Sequence, residues 1–170
     1  ASKASCDLLC RSYIKTYGLD IITTRCTNNF GPNQYDEKLI PTVVRSIVNG
    51  IPIPVYGAGK NVREWIPVYS HIDIIIEIAE KEKRGIYNIT GGWSLPNITL
   101  VEVIRSLCAN HKYHSEIELV EDRKGHDFKY AVSTLYNEYK KEIGMEEFTK
   151  YLGETVEHYI RKYESEKAQV

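Results

Sequence analysis

No long hydrophobic run is present in this chain. Its most apolar stretch, residues 72–78, is broken by Asp73 and Glu77, far short of the ~20 consecutive apolar residues of a membrane span. An excess of one charge is lacking as well: 22 basic and 23 acidic residues leave a net charge of −1. No overall field therefore draws nucleic acid or an anionic membrane, and any anion site has to be local. Cysteine is scarce. Cys6, Cys10, Cys26 and Cys108 are too few and too irregular for a disulfide framework, which points to a reducing, cytosolic compartment. Repeats and low-complexity linkers are missing, and the first residues do not read as a secretory signal. With 170 residues the chain can bury one good core but is short for a complete two-domain enzyme.

What is present is an alternation of helical and strand periodicities with no internal boundary, the rhythm of an α/β fold. Apolar residues at 6, 9, 10, 13, 14 and 17 mark a helix ended by Gly18, with Cys6 and Cys10 as small core residues. The β-branched run 21–26 follows as a buried strand. A polar loop, 27–38, leads to a second helix over 39–48, where Pro41 is tolerable in the first turn and Gly50 terminates. Residues 51–56, with two prolines, read as an edge strand. A Gly57-Ala58-Gly59 turn and a strand over 62–68 complete a small extra sheet. Helices are expected over 71–79, from an Asn97 or Thr99 cap to Cys108, over 133–143 and over 147–163, with strands at 85–89 and 117–120 and fraying after 164.

Functional chemistry concentrates in loops. Asn28, Asn29, Gly31, Pro32 and Lys38 follow the first strand, and the carboxyl ends of strands are where α/β sheets bind ligands. The alternative is that the two asparagines cap a helix or satisfy a turn. Lys38, Arg63, Arg123 and His126 each stand beside a turn, a glycine or a strand end, forming a dispersed anion site, and guanidinium groups grip phosphate oxygens in bidentate fashion. Gly125 bends its loop so that Arg123 and His126 can face one ligand. Cys108, His111 and His114 could share a helix face as zinc ligands, but with no fourth ligand in sight the expectation is a helix end and no metal.

The segments Ser-Lys-Ala (2–4), Thr-Asn-Asn-Phe-Gly-Pro (27–32), Glu-Lys-Leu-Ile-Pro (37–41), Pro-Val-Tyr-Gly-x-Gly (54–59), Val-Arg-Glu-Trp (62–65), Tyr-Asn-Ile (87–89) and Asp-Arg-Lys-Gly-His-Asp (122–127) resemble, in order, those of the nucleotide-sugar 4,6-dehydratases, the dTDP-glucose enzymes above all. These belong to the extended short-chain dehydrogenase/reductases. The resemblance implies the C-terminal part of an NAD(P)-binding Rossmann-type fold with a smaller α/β substrate lobe. Residues 1–35 would be the last helix and strand of the Rossmann domain, and 36–170 mainly the substrate lobe, interleaved with Rossmann elements. Lys3 matches the catalytic lysine of a Tyr-x-x-x-Lys pair, which binds the NAD ribose and lowers the tyrosine pKa. Asn29 matches a cofactor contact; Asn28, Lys38 and Leu39 match sugar contacts. Pro54, Val55 and Tyr56 resemble the strip lining the nucleotide base, with Tyr56 as a stacking face. Arg63, Asn97 and the loop Asp122, Arg123, Lys124, Gly125, His126 resemble the diphosphate and nucleoside grip.

The implied reaction is an internal redox cycle on a nucleoside-diphosphate glucose: oxidation at C4, loss of water across C5 and C6, and return of the hydride to C6, for deoxysugar synthesis such as that of rhamnose. The family's glycine-rich loop, its Asp-Glu pair and its catalytic tyrosine would precede Ala1, so the expectation is the C-terminal half of a longer enzyme, inactive alone. The first helix matches one that builds a homodimer interface, with Leu8, Leu9 and Tyr13 as its apolar faces. Glu64, Pro67, Tyr69, Ser70, Thr90 and Lys124 depart from the family pattern. So does Arg25, which leaves open a UDP-glucose 4,6-dehydratase, an epimerase or a decarboxylase. A non-catalytic nucleotide-sugar binding or dimerisation module is the reading from another class.

Overall fold

The strands form three separate sheets, two of two strands and one of four. The computed structural model describes residues 1–81, 85–132 and 143–169. Helix α1 (Ser2–Tyr17) ends at Gly18, whose φ of 66° is the left-handed conformation that lets its N–H cap Ile14 O. Strand β1 (Ile22–Cys26) follows and pairs in parallel with β5 (Gly85–Ile89). After Thr27 the chain enters a second short strand, β2 (Asn28–Phe30), parallel to β4 (Val62–Pro67). The asparagines therefore neither cap a helix nor make a turn. Their backbone is extended by pairing with β4, a tertiary contact that overrides local turn preference.

Helix α2 (Leu39–Asn49) begins and ends as its pattern predicts, with Pro41 in the first turn and Gly50 at φ 67°. It buries Ile40, Val43, Val44, Ile47 and Val48, a broad apolar stripe at helical spacing. Strand β3 (Ile53–Tyr56) pairs in parallel with β7 (Ile117–Val120), not with β4, so the expected small sheet has a different partner. Strand β6 (Trp93–Pro96) runs antiparallel to β4, and β8 (Lys129–Tyr130) lies along β4's other face of pairing at Val62 and Arg63. Neither was expected from the sequence, because runs of four and two residues carry no periodicity of their own.

Helix α3 (Val68–Lys81) starts three residues before the expected point, and α4 (Asn97–Ala109) has Pro96 at its N-cap without a side-chain cap from Asn97 or Thr99. Helix α5 (Met145–Lys167) runs on past the point where fraying was expected. Its last turn is tied down by Tyr113 Oη donating to Glu164 and by Lys167 Nζ donating to Val48 O at 3.0 Å. The helix expected over 133–143 lies outside the described residues except for Ile143, whose O accepts from Trp93 Nε1 at 2.7 Å. The core is continuous between α2, α4, α5 and the β2–β4–β6 sheet, with Phe30, Ile66, Leu100, Ile104, Leu152 and Tyr159 fully buried. By contrast α1 buries nothing; Cys6 is exposed and Cys10 half-buried, so they are not core residues.

Candidate functional site

Strand β4 is the bar on which the site is strung. Trp65, Ile66 and Pro67 stand beside Asn28, Asn29 and Phe30, while Val62 and Arg63 stand between β6 and β8. At about 3.3 Å per residue the two groups of polar side chains sit roughly 10 Å apart along one strand.

At the first end, Asn29 Nδ2 donates to Cys26 Sγ and Thr27 O, each at 3.3 Å. Its Oδ1 and the Thr27 hydroxyl are buried without a partner. A buried amide acceptor left unpaired costs free energy and marks the place where a donor from a ligand is wanted. Gln34 Nε2 holds Asn29 O at 2.9 Å. The loop then turns through Asn33 at φ 63° and brings Lys38, exposed and 3.1 Å from Glu37, to the N-cap of α2. Leu39 follows, partly buried against the core. Two contacts from α5 fasten this loop: Lys162 Nζ meets both Asp36 oxygens at 2.7 and 2.6 Å, and Tyr159 Oη donates to Gln34 O. Lys162 holds the Asp36 carboxyl below its usual range, and burial pushes the Tyr159 phenol up to about 12, so it stays a donor.

At the other end, β3 and β7 finish side by side, with Tyr56 opposite Val120 and Gly57 N donating to Val120 O at 2.8 Å. The loop after β7 is built on Asp122. Its Oδ1 accepts from Arg123 N at 2.8 Å and from His126 Nδ1 at 2.7 Å, and the His126 bond is the main cause of its lowered pKa. Gly125, at φ 72°, closes the turn. Arg123 reaches back so that its Cζ lies 4.0 Å from the Tyr56 ring centroid, a cation–π contact worth ~0.5–1 kcal/mol where exposed.

Asn97 joins this end through its backbone: Asn97 N donates to Asn61 O at 2.9 Å and Ile98 N to Gly59 O at 3.0 Å. The Asn97 Oδ1 is buried and unpaired. Asn61 Nδ2 in turn donates to Asp127 O at 3.3 Å. Gly59, at φ 65°, could carry no side chain, since a Cβ would lie 2.8 Å from Ile98 Cβ and 2.9 Å from Val55 Cγ1. Arg63 Nη1 donates to Val62 O at 2.8 Å.

Thus Tyr56, Asp122, Arg123 and His126 come together around the turn at Gly125, with Lys124 exposed in the same loop, while Asn97 is joined through the Asn61 backbone and Arg63 bonds back to its own strand, at Val62 O. Asn28 and Asn29 stand together on β2, and Lys38 and Leu39 follow at the far end of the loop that Gln34 ties to Asn29. Pro54 is half-buried, but Val55 is buried in the core, so its side chain cannot line a ligand and only its backbone is available. Lys3 stands apart, exposed on α1. Arg25, one of the departures from the family pattern, pairs with Asp7 of α1 through Nε at 3.0 Å and Nη2 at 2.5 Å.

Two departures from the family pattern meet each other: the Thr90 hydroxyl donates to Glu64 Oε1, both residues being buried. Two more reach α5, Ser70 Oγ donating to Glu147 at 2.7 Å and the Tyr69 ring lying 5.4 Å from that of Tyr151. Cys108 is buried in the core, its thiol pushed up to about 12 by burial, and among the described residues no group of three His, Cys, Asp or Glu side chains could hold a metal.

Parallel strand pairs alternating with helices, β1 with β5, β2 with β4 and β3 with β7, make this an α/β fold of the Rossmann type. The model of the NAD dependent epimerase/dehydratase family matches residues 1–90, and the chain belongs to that family. The dTDP-glucose 4,6-dehydratase of Actinoplanes sp. is 39% identical over 163 residues, 94% of this chain and 50% of its own length. The crystal structure of dTDP-glucose 4,6-dehydratase from Bacillus anthracis, in complex with NAD, is 41% identical and superimposes with a TM-score of 0.80 over 96% of this chain and 52% of that one. The Streptomyces venezuelae enzyme of the same name, solved with NAD and a second bound molecule, is 35% identical with a TM-score of 0.81, covering 94% and 50%. The chain spans about half the length of the relatives it matches.

Proposed function

We propose that this chain is the nucleotide-sugar-holding part of an NAD-dependent dTDP-glucose 4,6-dehydratase acting in deoxysugar synthesis. The observation that carries the reading is the meeting of Tyr56 and Arg123 at the paired ends of β3 and β7, with Asn28 and Asn29 paired to β4 in the neighbouring sheet. An aromatic face next to a guanidinium suits a nucleobase and the diphosphate attached to it. The polar group at the far end of β4 is left to hold a sugar. In this reading residues 1–35 belong to the cofactor domain and 36–170 mainly to the substrate lobe.

Asn29 fits the nicotinamide end of NAD, because its Oδ1 is buried and unpaired and can accept from a carboxamide; Lys3, exposed on α1, would hold the ribose. NAD bound there would supply the hydride-transfer chemistry of the cycle. The chain's own residues bind and orient. Arg63 and Arg123 neutralise the diphosphate beside His126, Asn28 and Lys38 donate to sugar oxygens, and Leu39 excludes water from their side. The proton transfers of the elimination fall to none of these side chains. Four unpaired cysteines accord with a cytoplasmic enzyme, and the apolar residues of α1 accord with a homodimer.

The test is the intact mass of the natural protein together with turnover of dTDP-glucose and UDP-glucose, followed by NMR for loss of the C6 hydroxyl. A mass well above 19.6 kDa and a 4-keto-6-deoxy product from dTDP-glucose are expected. Turnover of UDP-glucose alone moves the substrate assignment to the uridine sugar. Inversion at C4 with C6 intact makes the protein an epimerase, and binding without turnover makes it a binding module.

A further inference from the structure

Neither role assigned to Arg123 and Tyr56 requires that they touch, yet the guanidinium covers the ring at 4.0 Å. Tyr56 is 37% exposed, so the guanidinium lies over a ring that solvent still reaches. Arg123 takes it in preference to the neighbouring Asp122, whose carboxylate is engaged by His126 Nδ1 and by Arg123's own N–H.

The backbones beneath the two side chains are fixed to each other. Tyr56 and Val120 are register partners, and Gly57 N donates to Val120 O at 2.8 Å. Gly57 also packs so closely on the loop that a Cβ there would lie 3.2 Å from Asp122 Oδ2. The element left to move is the arginine side chain on its rotatable stem.

We propose that Arg123 stands in for the nucleobase on the Tyr56 face and leaves it only when a diphosphate draws it off, so that the site selects nucleoside diphosphates against nucleosides. The proposal rests on the reading of Tyr56 as the base contact and Arg123 as a diphosphate contact. A diphosphate offers the guanidinium charge-assisted, bidentate hydrogen bonds, stronger than an exposed cation–π contact. The ring is then vacated by the ligand's own charge, and the base takes it. A nucleoside has no oxyanion to offer and must evict the guanidinium at the full cost of the contact. Recognition of the base is thereby coupled to the diphosphate through one side chain.

The test is calorimetric titration of the intact protein with dTDP and with thymidine, UDP and uridine being run in parallel, for the wild type, Arg123→Ala and Tyr56→Leu/Arg123→Ala. In Arg123→Ala the affinity for dTDP should fall at least about tenfold. That for thymidine should rise about two- to fivefold, the factor an exposed cation–π contact corresponds to. The double variant should lose the gain, because the face it exposes is no longer aromatic. A thymidine affinity that fails to rise, with dTDP binding weakened, overturns the gate while leaving the base and diphosphate contacts in place. Affinities for dTDP and UDP that are both unchanged overturn the contacts and the gate together. Arg123 is exposed, so its truncation leaves the fold intact, and circular dichroism of each variant checks this.

Discussion

Glu64 is a carboxylate buried to 7% exposure, and the Thr90 hydroxyl that donates to it is at 2%. Burying such an oxygen is costly unless a donor meets it, and removal of the donor leaves the cost uncompensated. Thr90→Val should therefore lower stability by about 1–3 kcal/mol, read as a lower urea midpoint, whereas Thr90→Ser keeps the donor and should stay near wild type. A second residue-scale prediction concerns Gly59. Its φ of 65° and the 2.8 Å approach of a Cβ to Ile98 strain any side chain, so Gly59→Ala should cost more than the roughly 1 kcal/mol of ordinary Gly-to-Ala effects and displace the start of α4. Each of these residues stood out in the sequence, Glu64 and Thr90 as departures and Gly59 as a turn. Their partnership was not legible, because the sheet brings together residues 26 positions apart and no local spacing encodes it. The Tyr56–Arg123 contact was hidden for the same reason, although each residue was recognised by type.

Helix α5 shows what a remote element does for a loop. Its Lys162 meets Asp36 across a separation of 126 residues, and its Tyr159 holds Gln34 O, so the segment carrying Lys38 is fixed from outside. Lys162 lowers the Asp36 pKa from 3.8. A carboxyl whose folded-state value is depressed adds stability above its unfolded value, and that stability is lost as the pH falls through the folded value. Lys162→Met should thus lower the urea midpoint at neutral pH, and the gap to wild type should close below about pH 4. Because the two side chains are 36% and 39% exposed, the gap is that of a screened pair, about 0–1 kcal/mol. A gap of equal size at both pH values would assign the effect to the lysine stem against Tyr159 and Tyr163 instead. At this scale α2, α4 and α5 were legible from apolar positions at helical spacing. Strands β2, β6 and β8 were not, since their order comes from β4, and only the finished sheet shows that Asn28 and Asn29 are strand residues.

Over the whole molecule the apolar surface is unevenly closed. While α2, α4 and α5 share one core, α1 leaves Leu9 59%, Tyr13 50% and Tyr17 68% exposed along one stripe and Leu8 66% exposed on the adjoining face. Helices of about this length are marginal in water without tertiary packing, and α1 is tied to the sheet through the Arg25–Asp7 pair, an exposed contact worth ~0–1 kcal/mol. Its stability must come from something that covers those faces. The stripe of Leu9, Tyr13 and Tyr17, whose two tyrosine rings already lie 5.2 Å apart, suits the same stripe of a second copy, since a twofold interface is self-complementary. The intact protein is accordingly expected to sediment as a dimer, and Leu9→Glu/Tyr13→Glu to shift it to monomer by placing like charges opposite each other in an apolar seam. A dimer that survives the double substitution would place the interface elsewhere, and the stripe would then be covered from within the same polypeptide.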